Sequence, residues 1–262
     1  MTILDEINNN KRREVEEAKS KISIEQLQLS PYFNRKINSL KAALLAEGAS
    51  GIIAEFKTKS PSKGIINGDA EASQITAGYT AAGASGISVL TDSSYFGGSF
   101  TNLAKARMAN PNTPILRKDF MIDPYQIYEA KAHGADLILL IAESLSKELL
   151  LELTLKAKEL GMEVLVEVHN EEELAKLNDQ VDIVGVNNRD LRTFRVDVET
   201  SVRLSKLIPC QFVKISESGI SNPASISKLR DAGFRGFLIG ETFMKTDNPG
   251  KACTEFIRQL NK

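Results

Sequence analysis

From residue 51 onward, short runs of aliphatic and β-branched residues alternate with longer stretches of helical periodicity. The runs lie at 51–56, 86–91, 114–117, 135–141, 163–168, 183–187, 212–216 and 236–240. Each is the length of a buried strand, and several show no polar alternation, as in a parallel sheet covered by helices outside and packed within. Between them, residues 145–160 place Leu149, Leu150, Leu153 and Ala157 on one helical face, with Lys and Glu opposite. Ser221 or Asn222 followed by Pro223 reads as a helix N-cap with proline in the first turn, and Gly233 as the matching C-cap. Gly83, Gly134 and Gly161 end helices before other strands in the same way. Eight strands alternating with helices in 262 residues predict an α/β fold, a (β/α)8 TIM barrel forming one domain over 1–262. An open dinucleotide-binding sheet would carry a GxGxxG turn after an early strand, and the sequence has none.

Residues 1–48 form a helical N-terminal extension. Leu4, Ile7 and residues 11–18 suggest one helix, and Ile37, Leu40, Ala43 and Leu44 another beyond Pro31. Such an extension either plugs the bottom of the barrel or leans over its top, and the pattern does not choose. The charged stretch Lys11-Arg12-Arg13-Glu14 is unlike a signal peptide, and the longest apolar run, 137–142, is too short to span a bilayer. A soluble, cytoplasmic protein is expected. Thirty-three Lys and Arg against 34 Asp and Glu give a net charge of −1. That balance supplies no drive toward nucleic acid or membrane, although a local site for a small anion stays open. Cys210 and Cys253 form no CxxC pair and read as reduced thiols. Nothing points to an obligate protein partner.

In such a barrel the site lies at the C-terminal ends of the strands, so polar residues that close an apolar run are the candidates. Glu55 and Lys57 are two apart and share the inward face, with Phe56 directed toward the helices. They are either a rim ion pair or part of a site. Lys118 shares the face of Leu116, whereas Arg117 and Asp119 do not. Glu167 closes the fifth run on the face of Leu165, where a glutamate near two lysines can serve as general acid or base. Asn187 closes the sixth on the inward face, as an orienting amide or a turn residue. Gly219 and Gly240 sit in the last two loops, where such barrels often bind phosphate through backbone N–H groups.

His133 and His169 are the only histidines, and no HExxH, CxxC or metal-spaced carboxylate cluster occurs, so no metal site is expected. His169 reads as a loop residue although it follows Glu167 closely. With no GxSxG and no Walker loop, the residues left are those for acid–base work by Lys and Glu on a phosphorylated small molecule.

The ordered segments EFKTKSPSKG (55–64), SVLTD (88–92) with YFGGS (95–99), and LRKDF (116–120) with DPYQI (123–127) resemble the indole-3-glycerol phosphate synthase family. LVEVH (165–169), GVNNRDL (185–191), SESGI (216–220) and LIGE (238–241) extend the resemblance over nearly the whole chain. Thr58 departs from the more usual residue at its position but should face away from the site. The resemblance implies a lyase of tryptophan biosynthesis that closes, decarboxylates and dehydrates 1-(2-carboxyphenylamino)-1-deoxyribulose 5-phosphate, with no cofactor and no fused isomerase barrel. It implies Lys118 as general acid in ring closure, Glu167 as base, and Lys57 or Lys118 as the acid of dehydration. Glu55 and Asn187 would orient these groups, with Glu217 and Ser218 close by. Lys57, Ser60, Gly219, Gly240 and the Glu241 backbone would surround the phosphate. Arg189 would meet the aromatic carboxylate, and Phe96 and Phe120 would wall the ring. The rival readings are another phosphate-binding barrel isomerase or lyase, and a barrel that only binds a phosphorylated metabolite.

Overall fold

The computed structural model describes residues 3–191 and 193–260. Met1, Thr2, Arg192, Asn261 and Lys262, which belong to the expected 1–262 span, lie outside the described residues. Eight parallel strands close into a barrel: β1 Ile52–Phe56, β2 Gly86–Leu90, β3 Ile115–Lys118, β4 Leu137–Ile141, β5 Glu163–Val168, β6 Ile183–Asn187, β7 Val213–Glu217 and β8 Gly236–Ile239. Each pairs with its sequence neighbours, and β8 closes on β1 through Ile52↔Phe237 and Ala54↔Ile239. The strands match the eight runs to within two residues at either end. The third shifts by one residue because Lys118 still pairs with Leu90 of β2.

Period two along each strand sorts the side chains. Inward-facing Ile53, Leu116, Leu139, Leu165, Ile183, Ile215 and Leu238 fill the barrel, while Phe56, Val89, Val166 and Ile239 pack outward under the helices. Gly134 has φ +89°, which lets the chain leave one helix and enter β4 directly, and Gly233 repeats this before β8. Asn222, rather than Ser221, caps the helix Pro223–Asp231, accepting from Ser225 N with proline in the first turn.

The extension does both of the things its pattern left open. Helix α1, Ile3–Lys21, leans over the top of the barrel, where Leu4 and Ile7 line the mouth. A short α2, Ile24–Gln28, which the apolar pattern does not predict, carries the chain down the side with a Ser23–Gln26 capping box. Helix α3, Leu40–Leu45, then plugs the bottom with Leu40 and Leu44 inserted into the inner apolar cluster. Glu163 at the start of β5 anchors that plug by accepting from Leu40 N at 2.9 Å and Lys41 N at 3.1 Å. Gly86 and Gly236 make room for it. A Cβ at Gly86 would lie 2.5 Å from Leu40 Cδ1, and one at Gly236 3.1 Å from Leu44 Cδ1. No helix among the described residues is long and apolar enough to cross a membrane.

Candidate active site

The C-terminal ends of the strands surround a cavity of about 470 Å³. Leu139, Ile141 and Leu238 form its lower wall, and Ile3, Leu4 and Ile7 of α1 form part of its roof. At its centre Lys118 Nζ lies 3.2 Å from Glu167 Oε2 and 3.0 Å from Glu217 Oε2. Both carboxylates are almost fully buried. They approach one cation because Lys118 and Glu217 end β3 and β7 and Glu167 is the last inward-facing residue of β5, alternate strands that contribute to one layer of a barrel interior. Gly185 on β6 is what allows Glu217 to lie there, since a Cβ at that position would meet Glu217 Oε1 at 2.5 Å.

Across the mouth, Lys57 Nζ pairs with Glu55 Oε1 at 2.8 Å, and Glu55 Oε2 also faces Ser88 Oγ at 3.5 Å. Gly240 is small for the same reason as Gly185: its Cβ would lie 2.5 Å from Glu55 Oε1. Asn187 Nδ2 donates to Glu167 Oε1 at 2.9 Å, and Asn187 Oδ1 accepts from Arg189 N at 3.0 Å. Asn187 is therefore both orienting amide and turn residue.

Burial and charge act in opposite senses on this cluster. Burial alone would lower the Lys118 pKa, but Glu217, Glu167 and Glu55 outweigh it and hold the ammonium well above the ordinary lysine range. Burial would raise Glu167, yet Lys118, then His169 and Asn187, bring it well below the usual carboxylate range. Glu217 goes the other way. Burial and the charge of Glu167 exceed the help from Lys118 and push it up to about 7. One carboxylate in the cluster is thus firmly ionised while its neighbour holds a proton more readily than an ordinary glutamate, the pattern expected where acid and base roles are divided.

The loops after β7 and β8 bring Ser218, Gly219, Gly240 and Glu241 to the cavity, with Ser60 and Lys57 opposite. Ser218 holds φ +66°, which is uncommon for a serine. Asn188 supports that turn by donating to Ser218 O at 3.0 Å and to Ser216 Oγ at 2.9 Å. Gly219 follows at φ +75°, with room for no side chain because its Cβ would stand 2.3 Å from Val196 Cγ1. Phe96 and Phe120 face each other at 6.0 Å between ring centroids and line the side nearest α1. Arg189 also reaches the lining, its guanidinium donating to Phe194 O at 3.2 Å. Thr58 stays outside, bonded to Gly97 O.

All of the strand-end candidates therefore line one cavity, and two expectations need correction. His169 is no ordinary loop histidine, since its largely buried ring stands 3.2 Å from Glu167 Oε1. Asp119, taken to face away, touches the cavity lining while its carboxylate pairs with Arg117 and Lys11. Lys245 and the apolar residues of α1 line the site without having been singled out. Lys11 was also missed. It lies on the buried face of α1 with Leu4, Ile7 and Val15, held by Asp92 Oδ2 at 3.0 Å and Asp119 Oδ1 at 2.9 Å. A lysine on the apolar stripe of an amphipathic helix was the available signal, because a buried ammonium requires carboxylate partners.

The model of the indole-3-glycerol phosphate synthase family matches residues 4–256. A relative of that name from Bacteroides thetaiotaomicron is 52% identical over 258 residues, covering 98% of this chain and 98% of its own. Another, from Salinibacter ruber, is 43% identical over 255 residues, covering 97% of this chain and 94% of its own. Among solved structures, 3-hexulose-6-phosphate synthase from Salmonella typhimurium superposes with a TM-score of 0.65 at 14% identity, covering 80% of this chain and 98% of its own. At that identity the likeness speaks for the barrel alone.

Proposed function

The chain belongs to the indole-3-glycerol phosphate synthase family, and we propose that its barrel mouth closes, decarboxylates and dehydrates 1-(2-carboxyphenylamino)-1-deoxyribulose 5-phosphate. The enzyme is a decarboxylating carbon–carbon lyase of tryptophan biosynthesis. The observation that carries the division of roles is Lys118 held between Glu167 and Glu217 beneath an apolar roof.

The substrate has a phosphate at one end and an aromatic carboxylate at the other. Lys57, Ser60, Gly219, Gly240 and the backbone of Glu241 receive the phosphate, with Lys245 adding positive charge from the same side. The aromatic ring lies against Phe96 and Phe120, and Arg189 approaches its carboxylate. This folds the chain so that the ring carbon bearing the carboxylate stands near the sugar ketone, with the ketone oxygen toward Lys118.

As the carbon–carbon bond forms, the ketone oxygen becomes an alkoxide. An ammonium tightly held by carboxylates is a poor acid toward a ketone. Toward an alkoxide its proton moves downhill, so Lys118 assists where the negative charge develops. Loss of CO₂ then returns the bonding pair to the ring and restores aromaticity. The new hydroxyl departs as water with a proton from a second acid, and Glu167 accepts the proton lost from the adjoining carbon. Having given its proton in the first step, Lys118 leaves Lys57, still paired with Glu55, to act in the second. Asn187 keeps Glu167 aligned throughout. From the ionised substrate, two protons are given and one is taken, so each turnover consumes one proton.

The direct test is to incubate the purified protein with the anilino-deoxyribulose phosphate and follow indole fluorescence. Folded protein that yields no signal would overturn the proposal.

A further inference from the structure

Beyond β5 the chain turns through His169 and Asn170 into the short helix Glu171–Leu174. Asn170 caps that helix by accepting from Glu173 N at 3.0 Å, and its Nδ2 donates to Glu173 Oε1 at 2.6 Å. The other oxygen of Glu173 accepts the His169 backbone N–H at 2.8 Å and faces His169 Nδ1 at 3.2 Å. Glu143, just past β4, lies 3.8 Å from the same nitrogen. His169 Nε2 points into the barrel and stands 3.2 Å from Glu167 Oε1. The ring side chain is 9% exposed, so each of its nitrogens faces a carboxylate largely shielded from water.

We infer that His169 is a positioning residue for Glu167, anchoring Oε1 together with Asn187 so that Oε2 alone exchanges protons with the reacting centre. The inference rests on the reading of Glu167 as the base.

The geometry divides the two oxygens. Oε1 accepts from Asn187 Nδ2 at 2.9 Å and stands in ion-pair contact with the imidazole Nε2 at 3.2 Å, whereas Oε2 faces Lys118 Nζ at 3.2 Å. Burial lowers the affinity of His169 for a proton, but contact with Glu167 and Glu173 and their charges outweigh it and push the pKa up to about 10. Three carboxylates face the ring from three elements: Glu167 at the end of β5, Glu173 on the short helix and Glu143 after β4. Lys118 lies beyond Glu167, and Arg189 lines the outer cavity that His169 shares. A cation in this place has a use that Lys118 cannot supply. Once Lys118 has given its proton to the alkoxide, Glu167 loses its main source of positive potential in a low-dielectric interior. The imidazolium remains, and it keeps Glu167 ionised as a base for the final proton abstraction.

A histidine that only packed the loop would need neither charge nor contact with Glu167, and two measurements separate the cases. The chain has two histidines, so the imidazole ¹⁵N resonances are assigned with a single H133Q variant. At pH 8 both His169 nitrogens should carry protons, while His133, lowered by burial, should be neutral. A neutral His169 would overturn the inference, and this readout needs no turnover. In pH–rate profiles, H169Q retains an amide donor but loses the charge. Its KM should stay within about threefold and the acidic limb of kcat should move to higher pH by about one unit. H169A should in addition lower the plateau of kcat by about tenfold. E173Q, which removes one of the two carboxylates in contact with the ring, should lower the pH at which His169 loses its second ring proton in the ¹⁵N titration, and serves if the His169 variants fail to fold. An unshifted acidic limb in folded H169Q and H169A, or an unmoved His169 titration in E173Q, would overturn the role. Absence of indole formation by the parent protein would instead refute the reading of Glu167 as the base.

Discussion

Replacing Lys11 with methionine isolates the contribution of the roof. Lys11 is a buried ammonium shared by Asp92 Oδ2 at 3.0 Å, Asp119 Oδ1 at 2.9 Å and Glu14 Oε2 at 2.6 Å. Removing one partner from a buried ion cluster costs about 3–5 kcal/mol because the charges left behind stay desolvated. Asp119 would keep Arg117 at 2.9 Å and Thr91 at 2.6 Å, and Asp92 would keep the N–H groups of Tyr95 and Phe96. The lower end of that range, about 3 kcal/mol, is therefore expected in urea unfolding. The loss should fall on the first half of α1, which is otherwise tied down at its start by Tyr95–Glu6 and Asn10–Ser94. Leu4 and Ile7 would then cover the cavity less completely. Their apolar contact with substrate weakens by about 1.4 kcal/mol if half of one side chain is lost, so KM should rise about tenfold. Because α1 supplies no proton donor to the reaction, kcat should fall by less than threefold. Acid unfolding gives a further check. The Asp119 carboxyl is lowered from 3.8 to about 2, burial being outweighed by Arg117 and Lys11. A depressed pKa contributes stability that is complete above about pH 4 and is lost as pH falls through 2, here about 2 kcal/mol. K11M should retain less of this dependence. Parent-like stability together with parent-like KM would refute the reasoning, and so would a collapse of kcat at unchanged KM.

Three further outcomes follow from the site. Lys118→Ala should lower kcat by about a thousandfold or more while a substrate analogue still binds in titration calorimetry, and near-normal turnover would remove Lys118 from its role. Gly185→Ala forces a Cβ against Glu217 Oε1 and to within 3.1 Å of Leu165 Cδ1, so a stability loss of about 1–3 kcal/mol in thermal melts should accompany reduced kcat. Glu217 has a raised pKa, so its contribution is complete below its unfolded value and is lost as pH rises through about 7. Glu217→Gln should therefore flatten the stability–pH curve between pH 5 and 8, and an unchanged slope would show that Glu217 does not titrate there.

Much of this molecule is written locally. A strand has period two, so Glu55, Lys57, Lys118, Glu167 and Asn187 could be placed on inward faces from their neighbours alone. Eight buried runs separated by amphipathic helices admit few architectures other than the closed barrel. The helix stops at Gly134 and Gly233 and the cap at Asn222 are equally local, because each depends on the torsions or side chain of one residue. What no local pattern contains is distance between strands. That Lys118 stands between Glu167 and Glu217, rather than beside one of them, follows from barrel closure and from the space left by Gly185. The opposite proton affinities of the two glutamates arise from that same packing, since burial and Coulomb forces depend on where charges lie in space. The N-terminal extension shows the limit most clearly. Its two apolar faces could be read from the sequence, but they dock at opposite ends of the barrel. Only tertiary structure shows Lys11 closing α1 onto Asp92 and Asp119 above, Glu163 fastening α3 below, and His169 turned inward toward Glu167.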